Sequence, residues 1–328
     1  ASQRPLSLYV HLPFCGTVCY YCACNKIITA NRKRASPYLD DLHQEIELQA
    51  ARFTEKRPVS QLHFGGGTPT FISDDEITCL MNKLRQHFYL LEEDKGDYSI
   101  EIDPREVTPA KIVLLRQLGF NRMSFGVQDF DPKVQVAVNR IQSLEQTAAA
   151  VDAARASGFH SINIDLIYGL PFQTVESFSL TLDKVLALNP DRLSVFNYAH
   201  LPHLFKVQKQ MDENTLPSAA TKLAILQYVI ERLQQAGYVY IGMDHFAKPD
   251  DELALAQENG TLYRNFQGYS THAGCDLIGL GITSIGMVDD TYSQNVKTLE
   301  EYHECVSTGK LPVYRGVRLT TDDKLRRA

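Results

Sequence analysis

Short apolar, β-branched runs recur along the chain and are separated by amphipathic stretches long enough to form helices. The runs predict strands at Leu6–Leu12, Val59–Phe64, Tyr98–Ile102, Arg122–Val127, Ser161–Ile167 and Arg192–Tyr198. The stretches between them predict helices at Pro37–Ala51, Asp74–His87, Pro109–Leu118, Leu144–Ser157 and Val175–Leu188. Ser73, three residues before Glu76, gives the second helix a capping box. This alternation predicts a parallel sheet, either doubly wound or closed into a barrel.

Polar or glycine-rich segments follow all six predicted strands. A doubly wound sheet concentrates function at one switch point, whereas a barrel spreads it over the carboxyl ends of all strands. We therefore predict an α/β fold, namely an incomplete (β/α)6 TIM-like barrel with an open side and a smaller C-terminal α+β extension. After a seventh run, Tyr238–Met243, the alternation weakens. We place a boundary near Gly237, which separates residues 1–236 from residues 237–328.

Composition narrows the class of protein. Charged residues make up 22% and hydrophobic residues 44% of the chain, and no apolar run approaches the roughly 18 residues of a membrane helix. A net charge of −6 argues against general nucleic-acid binding. Four of the seven cysteines lie within residues 15–24, which indicates metal binding in a reducing compartment. We expect a cytoplasmic monomer that binds neither membrane nor nucleic acid.

Three cysteines with the spacing C-x3-C-x2-C, Cys15, Cys19 and Cys22, carry the strongest chemical signal. Structural zinc sites usually take four ligands in two pairs. A four-iron cluster takes one thiolate per iron, so three thiolates leave one iron with an open position. A zinc site with a remote fourth ligand, or a chance grouping, stays open as an alternative. Cys24 is a poor fourth ligand, because the loop would have to turn back on itself, and a role beside the metal suits it better.

Glycines and carboxylates at the strand ends give a second signal. The run Gly65–Gly67 lets a ligand approach the backbone, although a triple glycine alone is more often a tight turn. Glu101 and Asp165 alternate with apolar neighbours inside strands, where a carboxylate needs a partner. That partner is either a cationic ligand or a structural arginine, such as Arg122 or Arg140.

The segment HLPFC-x3-C-x2-C-x-C resembles the radical S-adenosylmethionine (SAM) superfamily. With QLHFGGGTPT, SIEIDPRE, NRMSFGVQDF, NIDLIYGLP and IGMDHFAKPDDELA, it resembles the superfamily's oxygen-independent coproporphyrinogen III oxidases. The resemblance implies a [4Fe-4S] cluster on Cys15, Cys19 and Cys22, two SAM molecules per chain, and a catalytic role for Cys24. It implies cofactor contacts at Tyr9, Tyr21, Gly65, Gly66, Gly67, Glu101, Gln128, Arg140, Asp165, Ala199 and Ile285.

The resemblance also implies a reaction. A one-electron donor such as flavodoxin or ferredoxin reduces the cluster, and two propionates of a tetrapyrrole, coproporphyrinogen III, become vinyl groups. A haem-trafficking relative and a haem-degrading methyltransferase remain as alternatives. The basic run 31–34 is either a solvated face or a contact for propionates. Because the family has a segment before the first strand and continues into a helical C-terminal domain, we expect this chain to be a piece of a longer protein.

Overall fold

A computed structural model describes residues 3–265 and 268–327, in which a sheet of thirteen strands carries most of the architecture. The strands are β1 (Leu6–Leu12), β2 (Phe14–Cys15), β3 (Ile27–Ile28), β4 (Pro58–Gly66), β5 (Tyr89–Leu90), β6 (Asp97–Ile102), β7 (Arg122–Gln128), β8 (Ser161–Tyr168), β9 (Arg192–Asn197), β10 (Val239–Gly242), β11 (His245–Ala247), β12 (Tyr263–Asn265), β13 (Gly268–Ser270), β14 (Asp276–Leu280), β15 (Ile285–Val288), β16 (Thr291–Asn295) and β17 (Val313–Arg318). The helices are α1 (Ala35–Ala50), α2 (Asp74–His87), α3 (Pro109–Gln117), α4 (Pro132–Ala137), α5 (Leu144–Ala156), α6 (Val175–Ala187), α7 (Ala219–Gln235), α8 (Glu252–Glu258), α9 (Leu299–Ser307) and α10 (Thr321–Arg327).

The six predicted strands, β1, β4, β6, β7, β8 and β9, lie side by side in chain order and all run parallel. Parallel neighbours need a crossover connection, and at least one of the helices α1–α6 lies in each connection. The prediction of a mostly parallel α/β sheet is confirmed. Since the order never reverses between these six strands, this part of the sheet has no switch point of the doubly wound kind.

Residues beyond the predicted boundary extend the same sheet at both edges. At one edge β11 pairs antiparallel with β9 and is followed by β10. At the other edge β14 pairs parallel with β1, and the antiparallel strands β15, β16 and β17 follow. The boundary near Gly237 therefore lies between strands of one sheet, and a division into two domains there stays a prediction.

The two faces of the sheet differ in polarity. In β6, Tyr98, Ile100 and Ile102 are buried in the main hydrophobic core, whereas the alternating positions are only partly buried. The same alternation holds in β7. The second face of β4, β6, β7, β8 and β9 carries polar side chains that line a cavity. Because successive side chains of a strand point to opposite faces, one face of the sheet is apolar and covered by helices, and the other face is polar.

Helix boundaries follow local signals closely. Helix α2 spans the predicted residues, and both hydrogen bonds of its capping box form between Ser73 and Glu76, at 3.2 and 2.8 Å. Helix α1 begins two residues before the predicted Pro37, which is tolerated because it falls in the first turn. Among the described residues, no helix has the length and apolar character needed to cross a bilayer.

Candidate functional site

A second cavity lies where several parallel strands end. Most of the residues that the sequence singled out line it: Cys15, Cys19, Cys22, Cys24, Tyr21, Gly66, Gly67, Glu101, Gln128, Arg140 and Asp165. The wall also contains residues that the sequence did not single out: Lys26, Thr68, Asp103, Arg105 and Ser124. Convergence at one edge is expected, because parallel strands present their carboxyl ends together.

The cysteine loop is ordered by backbone pairing. Short strands β2 and β3 pair in parallel and bring Cys15 beside Ile28. The Cys22 N–H donates to the Cys19 carbonyl at 3.2 Å. His11 lies behind the loop, with Nε2 at 3.2 Å from the Asn25 carbonyl and Nδ1 at 3.0 Å from the Tyr9 hydroxyl. His11 therefore orders the loop, as its sequence context indicates.

The first and third thiols of the motif lie in different surroundings. Burial raises the pKa of Cys15 to about 11, although the Thr68 hydroxyl donates to its sulfur at 3.6 Å. A hydrogen bond from Cys24 and the charge of Lys26 lower the pKa of Cys22 to about 6, against the effect of burial. Cys24 itself is exposed and lies on the cavity wall beside Cys22.

The middle thiol, Cys19, is buried and faces two guanidinium groups. Arg140 Nη1 lies 3.5 Å and Arg105 Nη2 3.7 Å from its sulfur. Asp103 binds both arginines, accepting from Arg140 Nη1 at 3.1 Å and from Arg105 Nη2 at 2.7 Å. The sulfur thus meets a group with one more positive than negative charge.

The donor set fits an iron–sulfur cluster. Three free thiols lie on one loop at one cavity. Within residues 3–265 and 268–327, no three His, Cys, Asp or Glu side chains converge on a single ion position, which a zinc site would need. A cluster instead spreads its thiolates, one to each iron.

Glu101 lies near the end of β6, on the cavity wall. Gly66 N–H donates to one carboxylate oxygen at 3.2 Å, and His63 Nε2 lies 3.2 Å from the other. Burial raises the pKa of Glu101, but these hydrogen bonds and the charge of His63 more than offset it, so the pKa lies below its ordinary value. The structural pair with Arg122 is wrong, because Arg122 binds Asp97 instead.

Within the described part of the chain, no arginine forms an ion pair with Asp165. It accepts from Ser124 Oγ at 2.7 Å and from Asn163 Nδ2 at 2.7 Å. Burial raises the pKa of Asp165 to about 6, and the charge of Glu101 adds to the rise. A pair between Asp165 and Arg140 is therefore also wrong, and the carboxylate remains available to a donor in the cavity.

Two further predicted side chains, those of Arg140 and Gln128, lie on the cavity wall. Arg140 Nη2 donates to the Gly126 carbonyl, while its buried Nε has no partner. Gln128 has a φ of 71°, in the left-handed region, next to a register shift in the pairing of β7 with β8. Such irregularities re-aim a side chain and are common at functional sites.

The glycine run is required by packing as well as by access. A Cβ on Gly65 would lie 2.9 Å from Glu101 Oε1, and one on Gly67 would lie 2.7 Å from the Phe14 carbonyl oxygen. Gly66, at φ +116°, would meet the His11 ring at 2.7 Å. Gly66 and Gly67 also form part of the cavity wall. Contact of this backbone with a ligand stays a prediction.

Four predicted contact residues are not on the cavity wall in the part of the chain that the structure describes. Tyr9 stacks on His63, with ring centroids 5.8 Å apart. Gly65 packs against the side chains of Glu101 and His63. The Ala199 carbonyl accepts from Gln208. Ile285 begins β15, opposite Gln294. Their roles toward a cofactor stay predictions.

The comparisons with known proteins agree with this geometry. A sequence model of the radical SAM superfamily matches residues 9–185. Oxygen-independent coproporphyrinogen III oxidase of Pseudomonas aeruginosa is 57% identical over 325 residues, which cover 99% of this chain and 71% of that protein. The chain belongs to this oxidase family of the radical SAM superfamily. Its cofactors are accordingly a [4Fe-4S] cluster and SAM, and the zinc alternative is set aside.

Further members of the family give the same result. The oxidase of Escherichia coli K12 is 53% identical over 325 residues, covering 99% of this chain and 70% of that protein. A solved structure of coproporphyrinogen III oxidase from Escherichia coli, described as a radical SAM enzyme, superposes with a TM-score of 0.95. That match has 53% identity and covers 99% of this chain and 74% of the other. The family resemblance read from the sequence is confirmed.

Proposed function

We propose that the protein oxidatively decarboxylates two propionate side chains of coproporphyrinogen III to vinyl groups and so yields protoporphyrinogen IX. The observation that carries this proposal is an identity above 50% over 99% of the chain to oxidases named for that substrate. The three free thiols and the cavity that they line supply the matching chemistry.

The chain's own part is binding, orientation and exclusion of water. When bound, the reduced cluster and SAM supply a hydrogen-abstracting carbon radical. Cys15, Cys19 and Cys22 would hold the cluster, and the exposed backbone of Gly66 and Gly67 would contact the cofactor's amino acid part. Glu101, fixed on two sides, would accept from an ammonium or hydroxyl group. Enclosing such a radical is necessary because it would attack any nearby C–H bond.

Cys24 is our candidate for a catalytic side chain. It is exposed on the cavity wall, one residue beyond the cluster motif, and is hydrogen-bonded to Cys22. A thiol at that position can serve the reaction without ligating iron.

Two SAM molecules per chain are part of the proposal. One would occupy the open iron, the glycine edge and Glu101. Asp165, which has no bound arginine, and Arg140, which lies on the same cavity wall, are then left for a second ribose and carboxylate. Ala199 and Ile285 enter this second site by family resemblance alone.

We further propose that the sheet curves into an incomplete barrel. Side chains from β4, β6, β7, β8 and β9 all line one cavity on the polar face of the sheet, as they would if that face were concave. An open side would admit a tetrapyrrole. On this proposal residues 1–236 form the core, and residues 237–328 form an accessory region.

The free thiols and the need for an electron donor support a proposal about cellular compartment and partners. All seven cysteines are free thiols, as expected in the reducing cytoplasm. A flavodoxin or ferredoxin would supply single electrons, and we propose a monomer with no nucleic-acid or membrane partner.

The test is anaerobic turnover by the full-length, cluster-loaded protein. Mass spectrometry of reactions with coproporphyrinogen III should show two successive losses of CO2 and two hydrogens, with consumption of SAM. Tight haem binding without CO2 release would favour a trafficking protein instead. Methylation of the porphyrin with ring opening would favour a haem-degrading methyltransferase.

A further inference from the structure

The two guanidinium groups at Cys19 are the least explained feature of the site. Cys15 receives a neutral hydroxyl donor, whereas Cys19 faces Arg105 and Arg140 within 3.7 Å of its sulfur. Arg140 also lies against the predicted SAM position. Arg105 makes its side-chain hydrogen bonds to Asp103 and to the Cys19 sulfur.

Arg105 is held rigidly in that position. Its Nε donates to Asp103 Oδ1 at 3.0 Å and its Nη2 to Oδ2 at 2.7 Å, a two-point grip that fixes the plane of the guanidinium. Asp103 in turn accepts from the Arg105 N–H at 3.0 Å and begins a 3-10 turn over Pro104–Glu106. The side chain is only 17% exposed. The donor is therefore organised before any cluster is bound.

The charges around Cys19 favour the reduced state of a bound cluster. Reduction of a cluster adds negative charge that is shared by its cysteine sulfurs, and N–H donors on those sulfurs stabilise that charge. Asp103 offsets one arginine, which leaves one net positive charge at Cys19.

We infer that Arg105 tunes the cluster through the Cys19 sulfur and raises its reduction potential, so that a weak one-electron donor can reduce it. The inference rests on the proposed iron–sulfur centre but not on the identity of the porphyrin substrate. The competing explanation is that Arg105 only neutralises Asp103 and stabilises the loop.

The experiment is an EPR-monitored redox titration of the anaerobic, full-length, cluster-loaded protein without SAM or substrate. Arg105→Gln should keep its iron content and shift the midpoint potential to a more negative value. Arg105→Lys, which keeps the charge but loses the two-point geometry, should shift it less. Arg232→Gln is the control. Arg232 does not line the cavity, and its Nη2 lies 3.0 Å from Asp183 Oδ1, so this variant should leave the potential unchanged.

The outcomes separate the two proposals. An unchanged potential in a cluster-loaded Arg105→Gln protein, with or without a lower melting temperature, would overturn the inference and leave the proposed function intact. If Arg105→Gln does not load iron, the Arg105→Lys protein decides, and a potential equal to that of the unmutated protein refutes the inference. An unmutated protein that binds no cluster refutes the proposed function itself.

Discussion

Replacing Gly67 with alanine tests whether packing behind the cysteine loop supports the cluster. The new Cβ would lie 2.7 Å from the carbonyl carbon and oxygen of Pro13 and 2.7 Å from the Phe14 carbonyl oxygen. This backbone cannot easily yield, because the Phe14 ring is fully buried and stacks on Phe71 at 5.6 Å. The Gly67 N–H also donates to the Leu12 carbonyl at 2.8 Å.

We expect Gly67→Ala to lose about 1–3 kcal/mol of unfolding free energy, the usual cost of overpacking a tight site. Any displacement of Pro13 and Phe14 passes directly to Cys15, so the iron content per chain should fall as well. Urea unfolding of the cluster-free protein measures the first quantity, and iron analysis after anaerobic reconstitution measures the second.

Gly274→Ala is the matched control, because a Cβ there meets nothing within 4 Å and the residue is exposed. It should change stability by less than about 0.5 kcal/mol. If Gly67→Ala proves as stable and as rich in iron as Gly274→Ala, the packing argument is refuted.

Three further predictions concern single side chains. Cys24→Ser should keep most of its iron but lose turnover, and an iron-free variant would contradict its placement outside the ligand set. Asp165→Asn should lower bound SAM from two per chain towards one in equilibrium dialysis. Its unfolding free energy should not drop by the roughly 3–5 kcal/mol that follows breaking a buried ion pair, and such a drop would contradict the proposed role. Burial raises the pKa of Glu45 to about 7. The folded state therefore binds the extra proton between about pH 4.5 and 7. Stability should fall by up to roughly 3 kcal/mol as pH rises through that window. Glu45→Gln should flatten this fall in urea unfolding, and an unchanged slope would contradict the assignment.

The sequence predicted the strands and helices well where one signal dominated. The apolar strand runs and the capping box at Ser73 placed β1, β4 and α2 within two residues of their observed ends. These elements depend on local periodicity and capping, which a single sequence displays directly. The seventh run, Tyr238–Met243, contains β10. The short strands after it were not predicted individually, since their pairing depends on distant strands such as β1 and β9.

Partners inside the site were harder to predict, because they depend on how neighbouring strands align. Arg140 was weighed as a partner of Asp165, but it binds Asp103, which follows a different strand, β6. His63 was missed although a signal existed. It alternates with Leu62 and Phe64, so a period of two already placed it on the polar face with Glu101.

The most direct test of the central claim is the mass of the product formed from coproporphyrinogen III by the reduced, full-length protein under anaerobic conditions. The account predicts a product lighter by two CO2 and four hydrogens, formed only with SAM, and its loss when Cys15, Cys19 or Cys22 is replaced by serine. Unchanged substrate mass with a fully assembled cluster, bound SAM and a competent electron donor would contradict it.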